Sequence, residues 1–145
     1  MGAAPGFIFL RGFAFDFLIC RNESISVGAW EGDLLEANFG TGYDVAILGH
    51  ILHSEGEERS RKLLKKTFRA LKSGGVIAIA EWLVNDQRTE PLHALMFAVQ
   101  MLVNTEKGDT FSFNEIKSWL EDAGFRKVRR LEAPGPSPLI LATKP

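Results

Sequence analysis

The chain has 145 residues, of which 46% are hydrophobic and 24% charged, and its formal net charge is -1. This length predicts one domain over residues 1–145 with a core of normal size, and the near-neutral charge argues against a nucleic-acid partner or a polybasic contact with a membrane. The single cysteine, Cys20, cannot form an internal disulfide and is predicted to be a packed small hydrophobic residue, which fits the reducing cytoplasm where we expect the protein to reside.

The N-terminal region contains an apolar, phenylalanine-rich run at residues 7–19, with charges at Arg11 and Asp16. Because Arg11 lies inside the run, which is also too short and too polar to span a bilayer, we predict neither a signal peptide nor a membrane segment. The run is predicted as strand, in one or two pieces broken at Gly12, and a short strand is predicted at residues 25–30. A turn at residues 31–33 and a single helical turn at residues 34–38 follow.

Residues 43–50 are almost continuously apolar, which is typical of a parallel strand covered on both faces. Ser54 and Glu57 then have the spacing of a capping box, which predicts that a helix begins there. This helix is predicted to present a solvated basic face and to end at residues 72–75, where a glycine supplies a left-handed cap.

The C-terminal half continues the alternation of strands and helices. A buried strand is predicted at residues 76–80, and residues 92–103 are apolar nearly all round, which predicts a buried helix. Its Met96, Phe97 and Met101, with Trp119 nearby, are predicted to line either the core or an acceptor pocket. Ser112 and Glu115 form a second capping box, and the helix that they open stops at residue 124. Strands at residues 126–131 and 139–143 are joined by a proline-rich turn, so they are predicted to pair antiparallel.

This order predicts an α/β fold with a mostly parallel sheet and an antiparallel C-terminal hairpin. Ligands of open α/β sheets bind at the carboxyl ends of the strands. His53 lies just after the strand at residues 43–50, and Glu81 lies directly after the strand at residues 76–80. The sequence therefore predicts that a candidate site contains this histidine and this carboxylate.

Several segments together resemble the class I S-adenosylmethionine-dependent O-methyltransferases that act on small aromatic or polyketide-like hydroxyls. These segments are Gly32-Asp33, Ile-Leu-His-Ser at residues 51–54, Gly-Gly-Val at residues 74–76, Ala-Glu at residues 80–81 and Ala-Gly-Phe at residues 123–125. The resemblance covers residues 31–144 and implies a Rossmann-like fold, S-adenosylmethionine as cofactor and a small hydroxyl acceptor. Residues 2–6 lack the pattern of the family's glycine-rich cofactor loop, so the chain is expected to be the C-terminal part of a catalytic domain, incomplete at its N-terminal side.

The resemblance implies that two residues carry the chemistry. His53 matches the family histidine that takes the proton from the acceptor hydroxyl, a task suited to a side chain that titrates near neutral pH. Glu81 matches the carboxylate that orients this histidine. A structural histidine at a strand-to-helix junction and a strand-end carboxylate that caps a loop remain open alternatives.

The resemblance also implies a cofactor site without metal. Asp33, preceded by Gly32, matches the aspartate that accepts a hydrogen bond from the cofactor's adenine amino group, which a carboxylate can do. Leu34 and Gly49 are the further cofactor-binding candidates. A simple turn at Gly32-Asp33 is the open alternative.

The chain departs from the family pattern at three positions. Ser54 and Glu55 replace the aspartate and tryptophan of the family's Leu-His-Asp-Trp segment, and Thr110 stands where the family has a second carboxylate. These departures weaken the expectation of a plant-type phenolic acceptor, and bacterial members look closer. His50 is expected to be packed or hydrogen-bonded rather than a second base.

Three functions therefore remain open. The first is methyl transfer by a catalytic half, which the spacing of His53 and Glu81 favours. The second is a non-catalytic remnant that acts by dimerisation or partner binding, which the missing glycine-rich loop favours. The third is a module that binds only the nucleoside. A homodimer is expected, because a missing central strand would expose a sheet edge.

Overall fold

The computed structural model describes residues 7–11, 16–21, 24–27, 33–135 and 137–145, with side chains from residue 33 onward. The predicted packing of Cys20 and the predicted cofactor contact of Gly32 therefore lie outside the described part of the chain. The elements in chain order are β1 (Phe7–Arg11), β2 (Asp16–Arg21), β3 (Ser24–Val27), β4 (Tyr43–Gly49), α1 (Leu52–Ala70), β5 (Leu71–Ala80), β6 (Leu83–Val84), α2 (Leu92–Asn104), β7 (Phe111–Ser112), α3 (Phe113–Ala123), β8 (Arg126–Leu131) and β9 (Leu139–Thr143).

The described strands form one mixed sheet in the order β3-β2-β1-β4-β5-β9-β8, and β6 and β7 form a small separate pair. The predicted α/β class and the antiparallel C-terminal hairpin are confirmed. Within the large sheet, parallel pairing is confined to β1–β4 and β4–β5. The connections among β1, β2 and β3 are too short for the crossover that a parallel pair requires, so these strands pair antiparallel.

The open edge expected beside β4 is not found. β1 pairs with β4 in parallel, from Phe7 opposite Val45 to Arg11 opposite Gly49. The apolar N-terminal run thus supplies a neighbour for the strand that leads to the candidate site. A dimer can no longer be argued from an unpaired edge at β4.

The start of α1 differs from the prediction. The helix begins at Leu52, and the Ser54 hydroxyl donates to the Ile51 carbonyl (2.9 Å) from inside the first turn instead of capping the helix. Gly56 has φ 71° and ψ 173°, which interrupts the helical backbone, so the predicted capping box with Glu57 is wrong. The residues before Gly56 therefore form a short turn of their own, and this turn carries His53.

The end of α1 also differs. The helix stops at Ala70, and Leu71 is already extended, with its N–H donating to the Thr67 carbonyl. Gly74 has φ 78° but lies where the pairing of β5 with β4 is irregular, so the predicted glycine cap is wrong. The left-handed conformation of Gly74 therefore belongs to the irregular part of β5 and not to the end of α1.

The core lies between the sheet and the helices α1 and α3. From α1 it takes Leu63 and Leu64, and from α3 it takes Trp119 and Leu120, all of which are buried. The predicted capping box of α3 is confirmed, since the Ser112 side chain accepts from the backbone N–H three residues on while that residue's carboxylate accepts from the Ser112 N–H.

Helix α2 is far less buried than predicted. Ala94 and Met101 are buried, but five large apolar side chains are 56–78% exposed: Leu92, Met96, Val99, Leu102 and Val103. We call these five residues the apolar row of α2. An apolar composition predicts that the side chains of a helix are buried on several sides, but it does not show whether residues of this chain bury them. Within the described part, no helix is long and apolar enough to cross a membrane.

We expect Gly124→Ala to destabilise the protein more than Gly42→Ala. Both glycines have positive φ (108° and 90°), but a Cβ at Gly124 would lie 2.9 Å from Cζ of Phe68, whereas at Gly42 it would meet nothing within 4 Å. Backbone strain alone is worth about 1–2 kcal/mol, and the added clash raises the expected loss for Gly124→Ala to about 2–4 kcal/mol. Urea unfolding of the two variants measures the difference, and equal losses would contradict the packing seen around Phe68.

Candidate functional site

Two neighbouring strands of the sheet deliver His53 and Glu81 to the same place. β4 and β5 are parallel and end in register, with Gly49 opposite Ala80. The His50 N–H donates to the Ala80 carbonyl (2.9 Å), which extends the pairing by one step. The first turn of α1 and the residue after β5 therefore meet at the carboxyl edge of the sheet, where ligands of such sheets bind.

The imidazole of His53 and the carboxylate of Glu81 are in direct contact. Nδ1 of His53 lies 2.8 Å from Oε2 of Glu81, and the Leu52 N–H donates to Oε1 (2.9 Å). Both side chains are buried, with each residue 2% exposed. An ionised carboxylate only accepts hydrogen bonds, so the contact with such a group requires Nδ1 to be the donor, and in a neutral ring of this tautomer the lone pair is on Nε2. Nε2 is buried and has no hydrogen-bond partner among the described residues.

Aromatic side chains surround this pair. Phe97 of α2 meets the His53 ring edge-on, with centroids 4.8 Å apart, and Trp82 meets Phe97 at 4.1 Å. Trp82 Nε1 is also buried without a partner in the described part. Three residues of α2 were predicted to line either the core or an acceptor pocket. Phe97 contacts His53, Met101 is buried in the protein, and Met96 is exposed to solvent.

The loop after α2 lies on the backbone of His53, a feature that no motif in the sequence indicates. The Asp109 N–H donates to the His53 carbonyl (2.9 Å), and a Cβ on Gly108 would lie only 2.6 Å from that oxygen. Thr110, the position of the missing carboxylate, is buried, and its Oγ1 has no partner in the described part. Arg88 donates to the Thr110 carbonyl (2.8 Å) and pairs with Asp109. The only local signal for this loop is its glycine.

His50 is hydrogen-bonded, as predicted, since its Nε2 lies 3.3 Å from Oγ of Ser137. The candidate ligand atoms of His50, His53 and Glu81 lie within 4.8 Å of one another, a separation at which such groups can hold a metal ion. The direct contact between Nδ1 of His53 and Oε2 of Glu81, however, pairs two of these three groups with each other. The arrangement therefore favours transfer of a proton at His53 over binding of a cation.

Asp33 begins a hydrogen-bonded turn in the region of the helical turn that was predicted at residues 34–38. Its carbonyl accepts from the N–H groups of Glu36 and Ala37, and its Oδ1 accepts from the Leu35 N–H (2.8 Å). Hydrogen bonds from the Arg59 guanidinium hold the pKa of the Asp33 carboxyl below its usual range. The carboxylate is therefore ionised at neutral pH and available as an acceptor.

The remaining cofactor candidates lie close by in the chain. Leu34 is half-buried, and its carbonyl accepts from the ammonium group of Lys66 (2.7 Å). Burial lowers the pKa of Lys66, and the nearby Asp33 charge opposes this. Gly49 is buried at the end of β4.

Comparison with known proteins gives consistent matches. A family model described as an O-methyltransferase domain matches residues 14–126. The chain is 37% identical over 106 residues to the 3-hydroxy-5-methyl-1-naphthoate 3-O-methyltransferase of Streptomyces sahachiroi, covering 72% of this chain and 30% of that protein. It is 35% identical over 101 residues to the acetylserotonin O-methyltransferase of Bos taurus, covering 70% and 29% respectively.

A solved structure of a methyltransferase also resembles this chain in its fold. Human N-acetylserotonin methyltransferase in complex with SAM superposes with a TM-score of 0.72 at 29% identity, covering 79% of this chain and 33% of that chain. The chain therefore spans about a third of the length of the relatives that it matches.

Proposed function

The chain belongs to the S-adenosylmethionine-dependent O-methyltransferase family, and we propose that it supplies the base and the adenine-binding carboxylate for methyl transfer to a small aromatic or polyketide-like hydroxyl. Because it spans about a third of its relatives, the activity of the whole protein, its acceptor and its partners all belong to this proposal. The observation that supports this proposal is the arrangement of the His53 ring. Glu81 holds its Nδ1, and its buried Nε2 has no hydrogen-bond partner in the described part.

In this mechanism the bound cofactor supplies an electrophilic methyl group on a sulfonium centre. Transfer of this group to the acceptor oxygen would require the hydroxyl to lose its proton. Nε2 of His53 takes this proton, and the Glu81 carboxylate stabilises the imidazolium that results. The Leu52 N–H holds the second oxygen of Glu81, so the carboxylate keeps its orientation. The proton then passes to water.

The surroundings of His53 support a flat acceptor. Phe97 and Trp82 present aromatic surface beside the imidazole, and such surface packs well against planar rings. The indole N–H of Trp82 is a donor without a partner in the described part, so it offers a hydrogen bond to a second oxygen on the acceptor. The resemblance implies a second carboxylate at the position of Thr110, so in this chain the position carries no negative charge.

The residues present fit the adenosyl end of the cofactor. Asp33 is ionised and half-exposed at the surface, with a carboxylate that can accept from the adenine amino group. In this proposal Gly32, Leu34 and Gly49 contribute further contacts to the cofactor.

We expect Asp33→Ala to weaken binding of S-adenosylhomocysteine by about 10- to 100-fold, because a hydrogen bond to a charged acceptor is lost. Isothermal titration calorimetry with the purified chain measures this. Asp122→Ala is the matched control, since Asp122 also pairs with an arginine of α1, Arg61, but lies outside the proposed site. Equal affinities of the two variants would argue against the role of Asp33, and no binding by the unchanged chain would argue against the function itself.

The apolar row of α2 favours a second candidate, a non-catalytic protein that acts by association. Five exposed apolar side chains on a helix of 13 residues are typical of an interaction surface. A homodimer formed through this row is part of this second proposal. It predicts a chain that associates as its concentration rises in sedimentation experiments but does not bind S-adenosylhomocysteine.

A further inference from the structure

Arg59 of α1 contacts Asp33 across 26 positions of sequence. Its Nη1 donates to Oδ2 (3.0 Å) and its Nη2 donates to Oδ1 (2.7 Å), so the guanidinium holds both carboxylate oxygens. Such two-point pairing fixes the plane of a carboxylate as well as its position. Asp33 therefore presents its oxygens in one orientation rather than rotating freely at the surface.

The hydrogen bonds of Asp33 leave little acceptor capacity. A carboxylate has about four lone-pair positions, two on each oxygen. Among the described residues, Oδ1 accepts from the Leu35 N–H and from Arg59, which fills it, whereas Oδ2 accepts from Arg59 alone. One acceptor position remains, on Oδ2, and it suits a ligand that donates a single N–H.

Glu55 holds Arg59 from its other side. Its Oε2 accepts from Nε of Arg59, four residues later, so the guanidinium is fixed between two carboxylates. Glu55 precedes Gly56, where the helix is interrupted, and Arg59 follows it. The ion pair therefore bridges the interruption and connects the turn that bears His53 to Asp33.

We propose that Arg59 is a positioning residue that makes the site selective for an aminopurine, because it leaves Asp33 one acceptor position for the adenine amino group. This inference rests on the proposed role of Asp33 in binding the cofactor. Glu55, which replaces the family's tryptophan, contributes by holding Arg59 in place. An oxopurine bound in the same position would place a carbonyl oxygen against Oδ2, and two acceptors without a proton between them repel each other. Its N1–H could donate to Oδ2 only if the purine or the carboxylate moved, and Arg59 holds the carboxylate in place.

Titration calorimetry with S-adenosylhomocysteine and S-inosylhomocysteine tests this proposal. The two ligands differ at the edge of the purine that carries C6: the adenosine compound has an amino group and an unprotonated N1, and the inosine compound has a carbonyl group and an N1–H. We expect Arg59→Gln to bind S-adenosylhomocysteine about tenfold more weakly. It should also lose most of the preference for this ligand over the inosine compound, because a carboxylate that is free to rotate can turn away from a carbonyl group or towards the N1–H. Arg59→Lys should restore the charge without the two-point contact and recover only part of the preference.

Arg61→Gln is the matched control. Arg61 lies on the same helix and makes the same kind of contacts, with Glu57 four residues earlier and with Asp122. We expect this variant to bind both ligands as the unchanged chain does and to unfold in urea at the same midpoint as Arg59→Gln.

Three results would overturn the inference. If Arg59→Gln keeps both affinities, Arg59 only joins two surface segments. If it binds S-adenosylhomocysteine more tightly, Arg59 masks Asp33 instead of positioning it. If the unchanged chain binds neither ligand, the proposed function fails together with the inference. The first two results, in contrast, would overturn the inference but leave the proposed function intact.

Discussion

Replacing His53 with alanine is expected to lower the rate of methyl transfer by about 100- to 10,000-fold, the usual contribution of a positioned general base. Affinity for S-adenosylhomocysteine should stay the same, because the proposed adenine contact is made by Asp33. The buried Oε2 of Glu81 loses its partner in this variant, so the free energy of unfolding should fall by about 1–3 kcal/mol. The rate is measured with radiolabelled S-adenosylmethionine and a panel of small aromatic hydroxyl compounds.

His93→Ala is the control for this experiment. His93 is exposed and contacts Trp82 edge-on at a centroid distance of 6.5 Å, but it is not joined to Glu81. If both histidine variants retain the activity of the unchanged chain, another group accepts the proton. If both lose it equally, the loss reflects the surroundings of Trp82 rather than a base.

Glu81→Gln is expected to lower the rate of methyl transfer about as much as His53→Ala does, but for a different reason. The Leu52 N–H needs an acceptor, so the amide oxygen of glutamine should face it and the NH2 group should face His53. Nδ1 must then accept a hydrogen bond, which places the ring proton on Nε2, where the acceptor's proton would have to go. The corresponding change in a Ser-His-Asp triad lowers kcat about 10,000-fold for the same reason.

The position of the ring proton distinguishes this mechanism from a structural role. In the unchanged chain, nitrogen NMR shifts of His53 should report a protonated Nδ1, and in Glu81→Gln they should report a protonated Nε2. Glu81→Asp should keep the original tautomer and recover part of the rate. Loss of activity in Glu81→Gln with an unchanged tautomer would contradict the orienting role of Glu81.

The sequence predicts the parts of this structure that depend on neighbours along the chain. The apolar run at residues 43–50 and the capping box at Ser112 are local patterns, and both elements form where expected. The meeting of His53 with Glu81 follows from one further step, since parallel strands that end in register bring the residues after them together.

The parts that the sequence does not predict depend on contacts between distant segments. Ser54 has the spacing of a cap, but Gly56 leaves the helical conformation where it packs against Lys107, whose carbonyl would lie 2.6 Å from a Cβ on that glycine. The pairing of Arg59 with Asp33 is likewise visible only in three dimensions. For α2, composition indicates an apolar helix but not which of its sides the chain covers.

The position of α2 has a mechanical consequence for the base. Its inner side holds the His53 imidazole through Phe97, and the loop that follows it holds the His53 backbone through the Asp109 N–H. Its outer side is the apolar row. Because α2 and the loop after it contact His53 at both its ring and its backbone, a shift of α2 would change both of these contacts. A partner bound to the outer side of this helix would therefore act on the residue that we propose as the base.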